Sequence, residues 1–296
     1  MRRDELINLL PQSSGMRRVA SHRFPVVGQP ALAENCWVVE EQALFVDVAD
    51  VGLYTMMWTR TDAVGAAGFL PQDGLLGEGP VPDALALCAG FLFTEGMIDT
   101  IADIDSLAVC PNAPDVVRVR LVDPSRVRSN RRSGLIASSC GICGGVQQAG
   151  DMYAGLPHVP DTLRIDPARF VPLMEAMQSC QTVFKTTGGT HAAALFSCDA
   201  ELLASAEDLG RHNALDKVIG QRLLRRQSAV GCGVTLSGRV SLELIIKAAR
   251  AGIEIVGAVS APSSLAIEAA DQLGITLCGF VRKGRLTAFT QPHRLA

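Results

Sequence analysis

Two cysteines with glycine neighbours are the residues of this chain best suited to covalent chemistry. The stretch Ser139–Gly145 reads Ser-Cys-Gly-Ile-Cys-Gly-Gly and places Cys140 and Cys143 three positions apart. Glycine permits backbone turns that a residue with a Cβ atom resists, so we expect an exposed, mobile loop that presents both sulfur atoms. The other seven cysteines share no short spacing, which is typical of small buried hydrophobic residues.

A basic run precedes the pair and consists of Arg126, Arg128, Arg131 and Arg132. Nearby cations favour the thiolate over the thiol, and the thiolate is the nucleophilic form of cysteine. The alternative is that these arginines belong to a solvated linker without a chemical role.

A Cys-x-x-Cys pair is compatible with half of a zinc site, a dithiol redox pair or a sulfur carrier. A structural zinc ion needs four ligands, and without a second Cys-x-x-Cys these would have to include the distant His158, His191 or His212. A thioredoxin-like pair opens a helix, and no helical pattern directly follows this pair. We therefore expect a metal-free, nucleophilic thiol that can carry a persulfide.

Composition limits the other classes of function. The chain has 296 residues, of which 48% are hydrophobic and 19% charged, with a net charge of −3. This size allows one or two packed domains, and the charge gives no general attraction to nucleic acid. Neither a signal peptide nor a membrane-spanning run is recognisable. Nine cysteines without a secretion signal predict reduced thiols and a cytoplasmic protein.

The N-terminal half predicts a small α+β domain. We expect, in order, a loose arm over residues 1–25, strands over 38–51 and 53–58, a Gly/Pro-rich surface loop over 63–82, a helix over 84–95, and strands over 101–110 and 116–122. Asp83 is predicted to cap that helix and Gly96 to follow its end. The domain is assigned to residues 26–128 and is followed by a linker, residues 129–164, that carries the cysteine pair.

Regular strand–helix alternation marks the C-terminal half, residues 165–296, and predicts an α/β domain. We expect helices over 168–180, 209–219, 241–251 and 262–273, and strands over 192–197, 202–206, 230–236, 253–259, 275–281 and 286–290. Gly220 is predicted to end the second of these helices. Alternation of this kind implies parallel strands joined by right-handed crossovers.

Polar segments follow three of the predicted strands: Ser237–Arg239, Ser260–Ser263 and Arg282–Arg285. Ligands of open α/β sheets bind beyond the carboxyl ends of the strands, and glycine, hydroxyl and guanidinium groups suit phosphate. A single such segment is more often an ordinary turn. Three at one sheet edge favour an anion site.

A polar cluster begins the helix that follows residue 208, within Glu207–Lys217. His212 and Asp216 are four positions apart and could pair on one helix face. A capped, solvated helix is the alternative to a functional cluster. His191 follows Gly188-Gly189-Thr190, and a lone histidine is more often a hydrogen-bonded structural residue than a catalyst.

Taken together, these segments resemble the formate dehydrogenase accessory sulfurtransferases, the FdhD family. The matching stretches are Gly90–Ile98, Ser139–Gly144, Thr187–Ala194, Glu207–Lys217, Ser237–Arg239, Ser260–Ala266 and Gly279–Arg285. They cover most of the chain from about residue 38 onward, in the order of the family. A Gly/Pro-rich insertion between Trp58 and Pro82 departs from the family pattern.

The resemblance implies a fold like that of cytidine deaminases for the C-terminal half. It also implies a sulfurtransferase, working as a homodimer, that takes sulfur from a cysteine desulfurase. The sulfur passes to the molybdenum cofactor, Mo-bis-molybdopterin guanine dinucleotide, for formate dehydrogenase. Deaminase chemistry is not implied, because it requires a His-x-Glu and Ala193 stands where that glutamate would be.

Residues are assigned by matching the family motifs. Cys140 matches the persulfide-forming cysteine, and Cys143 is the second catalytic candidate. Cofactor contacts are expected from Phe280, Val281, Arg282, Lys283, Gly284, Arg285, Thr187, Gly188, Gly189, His191, Ser237 and Arg239. A non-enzymatic chaperone for the same cofactor is the second hypothesis, and a zinc-bearing or redox α/β protein is the third.

Overall fold

The computed structural model describes residues 15–24, 30–62, 68–69, 79–127, 134–136, 153 and 155–296. The first half contains β1 (Met16–Arg23), β2 (Leu32–Val39), β3 (Gln42–Val48), β4 (Gly52–Trp58), β5 (Gly68–Phe69), α1 (Asp83–Thr94), β6 (Ile104–Cys110), β7 (Ala113–Leu121) and β8 (Gly134–Ile136). The second half contains α2 (Phe170–Cys180), α3 (Thr182–Thr187), β9 (His191–Phe196), β10 (Leu202–Asp208), α4 (Arg211–Leu224), β11 (Gly233–Leu236), α5 (Leu242–Arg250), β12 (Ile255–Ala258), α6 (Ser264–Gln272), β13 (Thr276–Arg282) and β14 (Arg285–Ala288). Among the described helices, none has both the length and the apolar character needed to cross a lipid bilayer.

The C-terminal sheet confirms the α/β class. Its order is β10-β9-β11-β12-β13-β14, and β11, β12 and β13 run parallel. Successive residues of β9 point to opposite faces: Ala193 and Leu195 pack in the cluster formed with α4, α5 and α6, whereas Ala194 and Phe196 pack with α2. The sheet is therefore buried on both faces, as its uninterrupted apolar strands require.

The N-terminal sheet has the order β5-β6-β7-β3-β4-β8 and packs against α1. β3 and β4 form an antiparallel hairpin, and Asp50 in its turn has a φ of 62°. Within the predicted linker, β8 pairs in parallel with β4. Most of the linker lies outside the described residues, so its assigned bounds stay a prediction.

Two N-terminal predictions are wrong. Residues 16–23 are not a loose arm, because β1 pairs along its whole length with β2. The strand carries mostly exposed, polar side chains without a regular apolar alternation, so the sequence concealed it. Asp83 is not a cap but the first residue of α1, and its carboxylate accepts hydrogen bonds from Thr61 and Lys217. Gly96 does follow the helix end in the left-handed region, at φ 69°.

Gly220 lies inside α4 rather than at its end, which corrects the predicted helix boundary. A Cβ atom at Gly220 would collide with the carbonyl oxygen of Ala86 in α1, and one at Gly90 would collide with that of Asp216 in α4. The two glycines therefore allow α1 and α4 to cross in backbone contact. This crossing joins the two halves of the chain.

We expect Gly90→Val to destabilise the protein by about 3 kcal/mol or more, because the added side chain must push two packed helices apart. The measurement is the urea midpoint, with the slope used to verify two-state unfolding. Gly79→Val is the matched control, because no heavy atom lies within 4 Å of a Cβ atom built there. Equal midpoints for the two variants would contradict the described crossing.

Candidate functional site

The carboxyl edge of the C-terminal sheet gathers the polar segments that follow its strands. β10, β11, β12 and β13 end at this edge, and β9 and β14 begin there, because each of the latter two is antiparallel to a neighbour among the former. The predicted segments at His191, Ser237–Arg239, Ser260–Ser263 and Arg282–Arg285 therefore share one edge. The topology confirms the expectation that these strand ends meet there.

His191 and the segment after β11 are in direct contact. A Cβ atom at Gly238 would lie only 3.0 Å from Nδ1 of His191, so glycine at this position lets the imidazole ring lie against the backbone. The backbone N–H of Ala192 donates to Oγ of Ser237 at 2.8 Å. The Ser237 hydroxyl is thus used to fix the two strand ends, and His191 and Arg239 are the groups left to face a ligand.

Burial lowers the pKa of His191 below its ordinary value of 6.5, and the guanidinium groups of Arg211 and Arg239 lower it further. The imidazole is therefore mostly neutral at about pH 7 and can donate one N–H. Burial and the charge of Arg239 also lower the pKa of Arg211. Two cations and a neutral imidazole therefore share this end of the edge.

The other end of the edge is the β13–β14 hairpin. Lys283 and Gly284 form its two-residue turn with φ values of 51° and 72°, and Arg282 pairs with Arg285 across it. Positive φ at both central residues is the geometry of a type I′ turn, which fits the twist of antiparallel strands. The hairpin therefore holds three cationic side chains in a defined, exposed turn.

Phe280 presents an aromatic ring beside this turn. Its φ is 54°, in the left-handed region that non-glycine residues rarely adopt, and its side chain is 37% exposed. The ring lies 6.3 Å from that of Phe289, and the Arg282 guanidinium lies 5.8 Å from its centre. Strained backbone of this kind concentrates at ligand sites.

A cavity of about 490 Å³ lies between the hairpin and α2. Its walls include the apolar side chains of Phe170, Val171 and Met174, and Arg282 and Arg285 stand at the hairpin side. The volume and the combination of an apolar wall with a few polar groups are typical of small-molecule sites.

A second cavity, of about 530 Å³, lies at the opposite edge, between α1, α4 and α5. None of the residues predicted from sequence lines it. Its Arg250 already donates to the carbonyl oxygens of Phe93 and Ile98 and pairs with Asp99. We therefore regard this cavity as a packing seam between the two halves, and the smaller cavity as the better candidate.

The Thr187–Gly189 segment has an evident structural task. The Thr187 hydroxyl donates to the carbonyl oxygen of Val183 and accepts from the N–H of Gly189. Gly188 ends α3 at φ 70°, and Gly189 lies against Val39 of β2. These residues shape the approach to His191, and α3 itself was not predicted from sequence.

Most of the cluster within Glu207–Lys217 is structural. Glu207 accepts from the N–H groups of Val183 and Phe184 at the start of α3. The predicted pairing of His212 with Asp216 is wrong: His212 lies 3.2 Å from the Ser241 hydroxyl, whereas Asp216 pairs with Lys247 at 2.9 Å. Both side chains reach other helices rather than each other.

Cys140 and Cys143 lie outside the described residues, so their predicted roles stay predictions. Within the described ranges, no group of three or more His, Cys, Asp or Glu side chains is arranged to hold a metal ion. Arg211 belongs to the described site, whereas the sequence placed it only within the Glu207–Lys217 cluster and assigned it no role of its own. The sequence feature that could have indicated Arg211 is its position directly after Gly210, as the first residue of a helix that starts at this edge of the sheet.

These features define a mixed α/β protein whose cationic side chains gather at one edge of its C-terminal sheet. A family model described as the FdhD/NarQ family matches residues 81–296, and the chain belongs to this family.

Curated relatives agree with this assignment. The chain is 39% identical over 240 residues to a protein of Thermoplasma acidophilum named "Sulfur carrier protein FdhD", which covers 79% of this chain and 83% of the relative. It is 40% identical over 210 residues to the protein of the same name from Sulfurisphaera tokodaii, covering 71% of this chain and 79% of the relative.

A solved structure shows the same fold. The crystal structure of a putative formate dehydrogenase accessory protein from Desulfotalea psychrophila matches with a TM-score of 0.69. The match covers 95% of this chain and 99% of the other at 23% identity. At this identity the likeness speaks for the fold alone.

Proposed function

We propose that this protein is a sulfur carrier that loads a persulfide on Cys140 from a cysteine desulfurase. It delivers the sulfur to Mo-bis-molybdopterin guanine dinucleotide, which formate dehydrogenase requires. The observation that carries the proposal is the 39% identity over 240 residues to a protein named as a sulfur carrier. The Cys140 pair and the cationic sheet edge support it.

Loading is a thiol exchange. The Cys140 thiolate attacks the terminal sulfur of the desulfurase persulfide, forms a new S–S bond and releases the desulfurase thiolate. In delivery, the bond between Sγ of Cys140 and the terminal sulfur breaks, and Cys140 leaves as the thiolate. The terminal sulfur would take two electrons from the molybdenum of the cofactor substrate as it becomes a sulfide ligand, so that the metal is the reductant of the step. Cys143, three positions away, is the second thiol available to assist.

The substrate of delivery is large and anionic, with two pyrophosphate groups and two guanine bases. Arg282, Lys283 and Arg285 offer phosphate contacts at the hairpin, and the exposed ring of Phe280 offers a face on which a base can stack. The cavity beside α2 provides room for a nucleotide. In this proposal, the enzyme class is a sulfurtransferase with a covalent persulfide intermediate.

The direct test is intact-protein mass spectrometry after incubation with a cysteine desulfurase and cysteine. We expect a mass gain of one sulfur atom, mapped by proteolysis to Cys140 and reversed by a reductant. Binding of a guanine nucleotide without any trapped sulfur would instead support the non-enzymatic chaperone. Sulfur found only on other cysteines would refute the proposed carrier site.

The hairpin gives a separate prediction about the cofactor. Arg285→Ala should weaken GDP binding by about 1.5–3 kcal/mol, because a charged hydrogen bond to phosphate is lost. Calorimetric titration of both proteins measures the difference. Arg225→Ala is the control, since Arg225 lies at the far end of α4 and contacts the carbonyl oxygen of Gly79. Unchanged GDP affinity in Arg285→Ala would show that this hairpin is an ordinary turn.

A further inference from the structure

Strand register brings Arg211 and Arg239 to either side of His191. Asp208, the last residue of β10, pairs with His191, and Arg211 follows three positions later. On the other side, Leu236 of β11 pairs with Ala193, and Arg239 follows three positions after Leu236. The backbone thus carries one arginine from each neighbouring strand to the start of β9.

The positive charges of Arg211 and Arg239 at the start of β9 are poorly balanced by acidic side chains. No ion pair among the described residues involves Arg211 or Arg239, and Nε of Arg211 is shielded from solvent with no hydrogen-bond partner there. Two acids of this region also serve other cations: Asp208 pairs with Lys217, and Glu243, whose charge opposes the lowering of the pKa of Arg211, lies 3.4 Å from Nε2 of His212. A partly desolvated guanidinium without a partner favours a bound anion.

The chemistry of the three side chains selects an oxyanion. Guanidinium groups bind phosphate with two parallel hydrogen bonds, and a neutral imidazole adds one donor. The contact between His191 and Gly238 fixes the ring beside this place.

We infer that Arg211, Arg239 and His191 form a phosphate-binding subsite that is separate from the β13–β14 hairpin. Neighbouring strands lie about 4.8 Å apart. In the sheet, β11 is two strands away from β13 and β9 is three strands away, so the backbone positions of the two subsites are separated by roughly 10–14 Å. Together with the hairpin, the sheet edge thus offers two groups of anion donors, which suits a ligand with two phosphate groups, and this step rests on the proposed function for the natural ligand.

The test uses inorganic pyrophosphate and the nuclear magnetic resonance titration of the histidine ring protons. Five histidines are present, and His191→Gln identifies the His191 signal by its loss. In the wild type, pyrophosphate should raise the pKa of His191, because the anion offsets the charges of Arg211 and Arg239. Asp208, the other charged group that acts on this ring, is buried with Lys217 and should not change.

Arg211→Gln should raise the pKa of His191 in the free protein and weaken pyrophosphate binding at this subsite about tenfold or more. Arg211→Lys keeps the charge and should keep the low pKa while losing most of the affinity. Arg285→Gln is the control and should leave the response of His191 intact. Pyrophosphate that fails to move the His191 signal, or moves it equally in Arg211→Gln, would overturn the subsite.

Sulfur loading is scored separately on the same proteins. Loss of the His191 response with normal loading of Cys140 would reject the subsite alone. A His191 response in a protein that never loads sulfur would reject the proposed function and leave a phosphate site with a different natural ligand.

Discussion

Replacing Cys140 with alanine is expected to abolish sulfur loading and the activation of formate dehydrogenase. The thiolate is the nucleophile, and alanine offers no atom that can form the S–S bond. We expect the fold to survive, because the sequence predicts an exposed loop at Cys140 and surface substitutions usually change stability by no more than about 0.5 kcal/mol. Mass spectrometry measures loading, and thermal unfolding measures the fold.

Cys198→Ala is the matched control for Cys140→Ala. Cys198 is an exposed free cysteine in the β9–β10 turn, at the opposite edge of the sheet from the candidate site. It should load and transfer like the wild type. Cys143→Ala should weaken transfer. A Cys140→Ala protein that still activates formate dehydrogenase would remove Cys140 from the proposed mechanism.

Lys217→Met should cost about 3–5 kcal/mol of unfolding free energy. The ammonium group is fully buried and lies 3.0 Å from Oδ2 of Asp208 and 3.1 Å from Oδ2 of Asp83. It also donates to the carbonyl oxygen of Thr59. Removing one partner leaves buried carboxylates without compensation, and penalties of this size are typical of such a loss. Urea unfolding measures the change.

The loss of unfolding free energy caused by Lys217→Met should become smaller as the pH falls. Burial raises the pKa of Asp208, and Lys217 opposes that rise, so the folded variant should bind a proton more tightly than the unfolded chain. Stability that comes from a raised pKa is present at low pH and is lost as the pH rises through the folded-state value. Lys185→Met, at an exposed position of α3, is the control. A pH-independent deficit would show that Lys217 acts by packing alone.

Sequence patterns located most of the C-terminal half because its strands are apolar runs that alternate with helices. β11 and β12 fall within the predicted segments, β13 extends one residue beyond its segment to Arg282, and the parallel pairing of the three strands is confirmed. The ribbon of β1 and β2 escaped prediction because most of its residues are exposed and its sequence shows no regular apolar alternation. α3 escaped because its six residues are too few to show a helical period.

The candidate site was predictable where it consists of strand ends. Ser237–Arg239 and the hairpin follow predicted strands, and His191 directly precedes one, so the sheet topology brings them to one edge. Arg211 and the pairing of Asp216 with Lys247 depend on contacts between distant segments. A single helix pattern cannot reveal such contacts, and for that reason it suggested the wrong partner for His212.

The crossing of α1 with α4 has a consequence for synthesis of the chain. Eleven residues of α1 are buried, which leaves this helix without a solvent-adapted face. Its partner ends at Leu224, about 130 residues after Thr94. At about 5–20 residues per second, the ribosome completes α4 roughly 7–26 s after α1. During that interval the nascent chain exposes the apolar helix α1 without its packing partner α4. The nascent chain is therefore a substrate for holding chaperones.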